Sequence, residues 1–231
     1  MKAFAGKGFC GICRETMRMR IVKTVFSLLC VWLMVACPVA AGAEECADMD
    51  CLAPLAEQGD AAAQYRLGAL YQEQGDELEA QRWYEAAGEQ GNLEAQLALG
   101  WLYYNYMNPE AFEIWFTLAA EQGSLEAQLK LATAYYEGMD LEQDYAKAAK
   151  WFHKAAEQGD GQAYFSLGEI YRDGLGVESD PVAACMWFEL AAAEGREEAP
   201  AQVKLLKDAM TPEQIGEADQ LAGEWKVSPE N

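Results

Sequence analysis

Histidine is almost missing from this sequence, with His153 alone among 231 residues. Any site that needs two imidazoles is thereby excluded. Basic residues are scarce as well: 17 Lys and Arg stand against 38 Asp and Glu, a formal net charge of -21. Phosphate binding depends on basic side chains, so nucleic acid and anionic lipid surfaces are poor partners, and a basic protein surface or cations are better ones. The same charge also keeps a chain soluble. No GxSxG elbow, phosphate-binding glycine loop or HExxH pair occurs, so no catalytic residue, metal site or cofactor is expected. A permanent bilayer-crossing helix requires roughly 20 apolar residues; the run TVFSLLCVWLMVAC at 24–37 has only 14.

That run belongs to a leader with the layout of an export signal. Arg18, Arg20 and Lys23 precede it, and Pro38 and the small residues Ala40, Ala41, Gly42 and Ala43 follow. Residues 1–43 are expected to be removed between Ala43 and Glu44, with translation beginning at Met1, Met17 or Met19, and the product to be periplasmic or secreted. Two alternatives stay open: an uncleaved anchor, and lipoprotein processing at Cys37, where Val35 and Ala36 fit but Met34 fits poorly. The CGIC at 10–13 lies in the leader and carries no redox argument. Cleavage removes six basic residues and one acidic residue, leaving 11 against 37. Of the three remaining cysteines, Cys46 and Cys51 can pair in an oxidising compartment if a turn forms near 48–50. Cys185, beside Met186 and Trp187, is expected to be a buried apolar residue.

The strongest feature is self-similarity at a near-fixed period. AEQG occurs at 56–59, 120–123 and 156–159, with AGEQG at 87–91 and AAAEG at 191–195, so its glycine recurs at intervals of 32, 32, 36 and 36. Counting from each glycine, the fourth residue is Ala63, Ala95, Ala127, Ala163 and Ala199; the eighth is Leu67, Leu99, Leu131 and Leu167; the ninth is Gly68, Gly100, Ala132 and Gly168; the twelfth is Tyr71, Tyr103, Tyr135 and Tyr171. Eight residues before the next glycine stand Trp83, Trp115, Trp151 and Trp187. Offsets four, eight, eleven and twelve share one face of a helix that turns about 100° per residue, and the alternation of a strand is absent. Each period is therefore expected to be two helices and a turn, with repeats at 59–90, 91–122, 123–158 and 159–195 and an N-terminal cap at 44–58. The motif glycine ends the second helix, because without a Cβ it takes the left-handed conformation that caps a C-terminus. Small residues at offsets four and nine mark where paired helices cross. The extra residues of the longer periods fall in one turn, YYEGMDLEQD and YRDGLGVESD.

The pattern A-x3-LG-x2-Y-x2-G followed by D-x3-A-x2-W-x4-A-x2-G resembles the Sel-one-like (Sel1-like) repeat, a relative of the tetratricopeptide repeat. Residues 163–195 match it at nearly every marked position, 123–159 carry Ala132 in a glycine place, and the first two periods are closer in turn length to a tetratricopeptide unit. The resemblance covers roughly 52–225 and implies an all-α, right-handed superhelical α-solenoid of a bacterial exported member. MTPEQIGEADQLAGEW at 210–225 looks like a closing segment within C-terminal capping helices and a tail at 196–231; Thr211, Pro212 and Gln214 would cap its helix. Some cysteine-rich exported relatives are linked to β-lactam binding or hydrolysis, but SxxK, SDN and KTG are absent here, as are their hairpin disulfides. The carboxylates Glu94, Glu126 and Glu169 are set down to chance adjacency in an acidic chain, and His153 to a solvent-facing surface.

What remains is a surface. Offsets three, six, ten and thirteen of each first helix point away from the core stripe and should line a concave flank. Polar residues are expected there, yet the middle of the array reads Glu94, Leu97, Trp101, Tyr104, then Glu126, Leu129, Thr133, Tyr136. Aromatic residues among acids suit capture of an extended or helical peptide, since Tyr and Trp bring large area with little rotamer entropy to lose. The candidate partner-binding residues are Tyr65, Glu94, Leu97, Trp101, Tyr104, Glu126, Tyr136, Phe165 and Arg172. Trp101 and Tyr104 lead this set, while Tyr65, Leu97, Leu129 and Phe165 are expected to be half-buried against the adjacent hairpin. A non-enzymatic scaffold of the bacterial cell envelope is the expected function. A β-lactam- or cell-wall-fragment-processing enzyme and a lipid-anchored assembly factor for envelope polysaccharide or secretion machinery are the alternatives. Intact-mass analysis of the protein from its native envelope should place Glu44 at the N-terminus; an acylated Cys37 would overturn the cleaved-signal reading.

Overall fold

The computed structural model describes residues 48–225, which form eleven α-helices and no strand. In chain order these are α1 (Met49–Glu57), α2 (Ala61–Glu73), α3 (Glu77–Glu89), α4 (Leu93–Asn105), α5 (Pro109–Glu121) and α6 (Leu125–Glu137). They continue as α7 (Tyr145–Glu157), α8 (Gly161–Asp173), α9 (Pro181–Ala193), α10 (Ala199–Lys207) and α11 (Pro212–Glu224). Four hairpins, α2–α3, α4–α5, α6–α7 and α8–α9, stack in order, and α10 and α11 close the array on α9. This is an α-solenoid of helix–turn–helix units.

Local chemistry sets the helix boundaries. Asp60, Asp76, Asn92, Asn108, Ser124, Asp144, Asp160 and Asp180 each accept a bond from the backbone N–H three residues on. Each such cap is worth about 1 kcal/mol. At the other end, the motif glycine has the conformation that its type implies: Gly91 lies at φ +87, and the N–H groups of Gly91 and Asn92 fold back onto the carbonyls of Gly88 and Ala87 at 3.0 and 3.1 Å. Thr211 and Gln214 form the reciprocal capping box at the start of α11.

Within each hairpin an aromatic ring lies where a glycine lacks a side chain. A Cβ added at Gly68, Gly100 or Gly168 would stand 2.8, 2.7 and 2.7 Å from the rings of Tyr84, Phe116 and Phe188. Small residues at offset nine therefore do mark the helix crossing, and the residue after each repeated tryptophan is the knob that fills it. The tryptophans themselves are not equivalent. Trp151 and Trp187 are buried, at 5% and 3% exposure, while Trp83 and Trp115 are only half-buried. Trp187 gains its cover from the closing helix, whose Trp225 ring lies 4.7 Å away.

The glutamine of EQG also has a structural role. Gln90 donates to the side-chain oxygen of Gln64 at 2.6 Å, and Gln64 donates to the carbonyl of Ala56 at 3.0 Å. Gln122, Gln96 and Gly88 repeat the arrangement, as do Gln158, Gln128 and Ala120. Gln64, Gln96 and Gln128 are buried, so each amide is placed and satisfied inside the stack. In the fourth hairpin Tyr164 takes this place and its hydroxyl accepts from the Trp225 indole at 3.1 Å. Lys207 ties the closing helices down, 2.5 Å from Glu189 of α9 and 2.7 Å from Asp219 of α11.

Cys185 is fully buried, and burial pushes its thiol up to about 11. Cys51 is disulfide-bonded. Cys46, the expected leader 1–43 with Cys37, and the Ala43–Glu44 junction lie outside the described residues. No described helix is long and apolar enough to cross a membrane.

Opposite signs are expected at two glycines in urea denaturation. Gly100→Ala drives a Cβ into the Phe116 ring and should cost about 1–3 kcal/mol. Gly216→Ala, in the middle of α11 with open space around it, should stabilise by roughly 0.5–1 kcal/mol. Trp187→Ala should cost about 3–5 kcal/mol; a loss below 1 kcal/mol would place the tryptophan outside the core.

Candidate functional site

Trp101 and Tyr104 stand three residues apart on α4, each 37% exposed. Their rings meet edge to face at 5.6 Å, and Phe116 of α5 supports Trp101 at 5.4 Å. The next hairpin fixes them from the side. Glu126 of α6 accepts from the Trp101 indole at 2.6 Å. One turn further along α6, the Lys130 ammonium lies 3.8 Å from the Tyr104 ring centre and 5.4 Å from that of Trp101, and pairs with Asp140 at 3.3 Å. A cation over an aromatic face contributes about 0.5–2 kcal/mol depending on its desolvation. The result is a rigid, partly exposed aromatic platform spanning two hairpins. It presents two ring surfaces at a set orientation, bordered by Phe116, Glu126 and Lys130.

The remaining candidates are dispersed. Glu94 is exposed on the first turn of α4, one hairpin away from Glu126. Tyr65, Leu97, Leu129 and Phe165 are half-buried: Tyr65 leans on Tyr84 at 5.8 Å and Phe165 on Phe188 at 5.2 Å, while Leu97 and Leu129 pack on the core. Tyr136 lies between Tyr145 and Phe152, at 5.5 and 6.2 Å. Burial and the nearby Glu169 carboxylate hold its hydroxyl above the ordinary range. The Arg172 guanidinium is already engaged, 2.6 Å from Asp173 and 2.9 Å from Gln202. Burial raises the Glu169 carboxyl, with Arg172 pulling the other way. Thus Trp101, Tyr104 and Glu126 come together, whereas Tyr65 and Phe165 each serve their own hairpin.

Sequence reasoning missed several residues here. Lys130 lies at an offset assigned to neither face, although it is the sole basic residue between 101 and 143. Beside the platform, the turns of the second and third hairpins enclose a cleft of about 530 Å³ lined by Tyr103, Tyr104, Met107, Phe112, Met139 and Asp140, among others. Met107 and Met139 are 91% and 78% exposed. Both sit in turns, which a helix-face periodicity does not reach.

His153 is not the solvent-facing residue that its place on the helix implied. Its ring lies 5.3 Å from Trp187 and 5.9 Å from Tyr171, and Nε2 is 3.1 Å from the Tyr171 hydroxyl. It occupies a recurrent inter-hairpin junction in which the offset-twelve tyrosine hydroxyl meets the preceding hairpin, as Tyr103 does with Glu85 at 2.7 Å and Tyr135 with Glu113.

A family model described as Sel1 repeat matches residues 61–92, 113–124, 125–160 and 161–195. Among solved structures, a Sel1 repeat protein from Oxalobacter formigenes is similar at 30% identity and a TM-score of 0.59, over 78% of this chain and 79% of that one. A protective antigen present in uropathogenic Escherichia coli strains and displaying an SLR fold is similar at 34% identity and a TM-score of 0.57, over 75% of this chain. This chain spans 39% of the length of that antigen. No curated protein matches.

Burial disfavours the charged form of His153 and holds its pKa below the ordinary 6.5. As pH falls the unfolded chain therefore binds the proton first, so stability should drop below about pH 6.5 and level off under the folded-state pKa. Urea midpoints measured from about pH 7.5 down to 5 should show this component in the parent protein. His153→Gln should remove it.

Proposed function

Because this chain belongs to the Sel1 repeat family, we propose that it is a non-enzymatic scaffold of the bacterial cell envelope that holds a protein partner on the flank of its first helices. Sel1 repeat proteins generally mediate protein interactions and are typically non-catalytic. The observation that carries the choice of flank is the Trp101–Tyr104 pair. Two large rings left partly exposed, yet fixed by Phe116, Glu126 and Lys130, have already lost the freedom that binding would otherwise remove. Interfaces draw most of their energy from a few such aromatic anchors, each worth about 2 kcal/mol or more. The export-type leader supports an envelope location, and the excess of acids supports a partner with a basic surface.

The double variant Trp101→Ala/Tyr104→Ala should keep its helical circular-dichroism spectrum, at a cost of about 1–3 kcal/mol in stability. It should fail to capture the partner that the parent protein retains from an envelope extract. Leu78→Ala, at an 81% exposed position on α3, should capture as well as the parent. Equal capture by parent and double variant would move the binding surface off this flank.

A further inference from the structure

Met107 is the sixteenth residue after Gly91, the place that Gly75 holds after Gly59. Both turn residues are left-handed, Met107 at φ +53 and Gly75 at φ +80, and among the described residues Met107 is the one non-glycine with positive φ. A side chain there is strained, and at 91% exposure this one recovers little of that cost by packing within the protein. Met139 projects to 78% exposure from the corresponding turn of the next hairpin, and both line the 530 Å³ cleft together with Tyr104, Phe112 and Asp140. Asp140 lines the cleft, and Glu110 and Glu137 are exposed within two residues of the lining Pro109 and Met139, whereas Glu113 and Glu142 line a neighbouring pocket with Lys147, which lies 3.5 Å from Glu113. Lys130, the nearest base, is ion-paired with Asp140 and covered by the Tyr104 ring, its side chain 19% exposed.

We propose that this cleft seats a basic peptide segment of the partner protein, with one large apolar side chain between Met107 and Met139 and Lys or Arg on either side facing the acidic rim. The inference rests on the scaffold reading above and adds the chemistry of the partner and a second point of contact beyond the Trp101 platform. Unbranched, polarisable methionine side chains adapt to an incoming apolar group. The carboxylates supply steering and reject acidic sequences. Strain held at an exposed methionine, where the preceding repeat uses glycine, is accounted for if the side chain is needed by something outside the chain.

The test uses three fluorescein-labelled synthetic 12-residue peptides and the mature protein in fluorescence anisotropy. One has a central Phe flanked by lysines, the second replaces each Lys by Glu, and the third replaces the Phe by Ala. The Lys–Phe peptide should bind about tenfold tighter than either counterpart and weaken with added salt. Met107→Gly should raise the urea midpoint, because glycine relieves the left-handed turn, and yet weaken the Lys–Phe peptide about fivefold. Leu205→Ala, at a 63% exposed position on α10, should change neither. Equal binding of the three peptides, preference for the acidic one, or unchanged affinity in Met107→Gly would overturn the inference. If partner capture from the envelope extract still depended on Trp101 and Tyr104 in that event, the scaffold reading would stand without it. Loss of both would remove the scaffold reading too.

Discussion

Close approach of paired helices is the constraint on which the rest of this structure depends. In the second hairpin the ring of Phe116 occupies the volume that a side chain at residue 100 would fill, and the first and fourth hairpins do the same with Tyr84 over Gly68 and Phe188 over Gly168. With the notch filled, the two helices of a hairpin have little latitude to slide or rotate, since interiors packed at crystal-like density do not accommodate an extra methyl group. Fixing that rotation fixes which residues of the first helix face outward. Trp101 and Tyr104 are on the flank because Gly100 is against Phe116 of α5 and Leu99 is against Gly88 of α3.

The second requirement is to join one hairpin to the next without a slippery, wholly apolar contact. Dispersion and area burial are nearly non-directional, whereas the chain from the Gln90 amide through the buried Gln64 to the Ala56 carbonyl, and its two copies, is held by directional hydrogen bonds. A slip of one residue would leave a buried amide unpaired, at about 1–3 kcal/mol each. The chain of amides must also end. Tyr164 replaces the fourth glutamine, and Trp225 answers it from the closing helix while covering Trp187. The last hairpin is thus sealed by aromatic groups where the interior hairpins are sealed by amides.

Much of this was legible in the sequence for a physical reason: a contact that recurs at every repeat leaves the same letters at the same spacing. The motif glycine, the small residue at offset nine and the capping residues all announce themselves in this way. Interactions made once do not. The glutamine of EQG was visible as a letter, but its partner lies in another helix 26 residues back, and only the assembled stack shows that the two meet. His153 illustrates the opposite error. Its helix position alone implied solvent, yet the neighbouring hairpin supplies Tyr171 and Trp187 to cover it. Half-burial of Trp83 and Trp115 was hidden likewise, because equivalence of position does not guarantee equivalence of neighbours.

The same distinction bears on where recognition sits. Repetition serves the fold, so residues that break the repeat are where a binding requirement shows against the structural background. The second hairpin breaks it most. It places Trp101 and Tyr104 where polar residues are expected on a flank, and Met107 where the first hairpin has glycine. The rings pack on Phe116 and Phe112 of the same hairpin yet remain partly exposed, and the methionine is strained and almost bare. Met139 and Asp140, in the longer turn of the third hairpin, line the cleft with Tyr104 and Met107. The partly exposed rings, the strained Met107 and the exposed Met139, drawn from two hairpins and converging on one patch beside Glu110, Glu137 and Asp140, are more economically explained by a common external partner than by unrelated features of two turns.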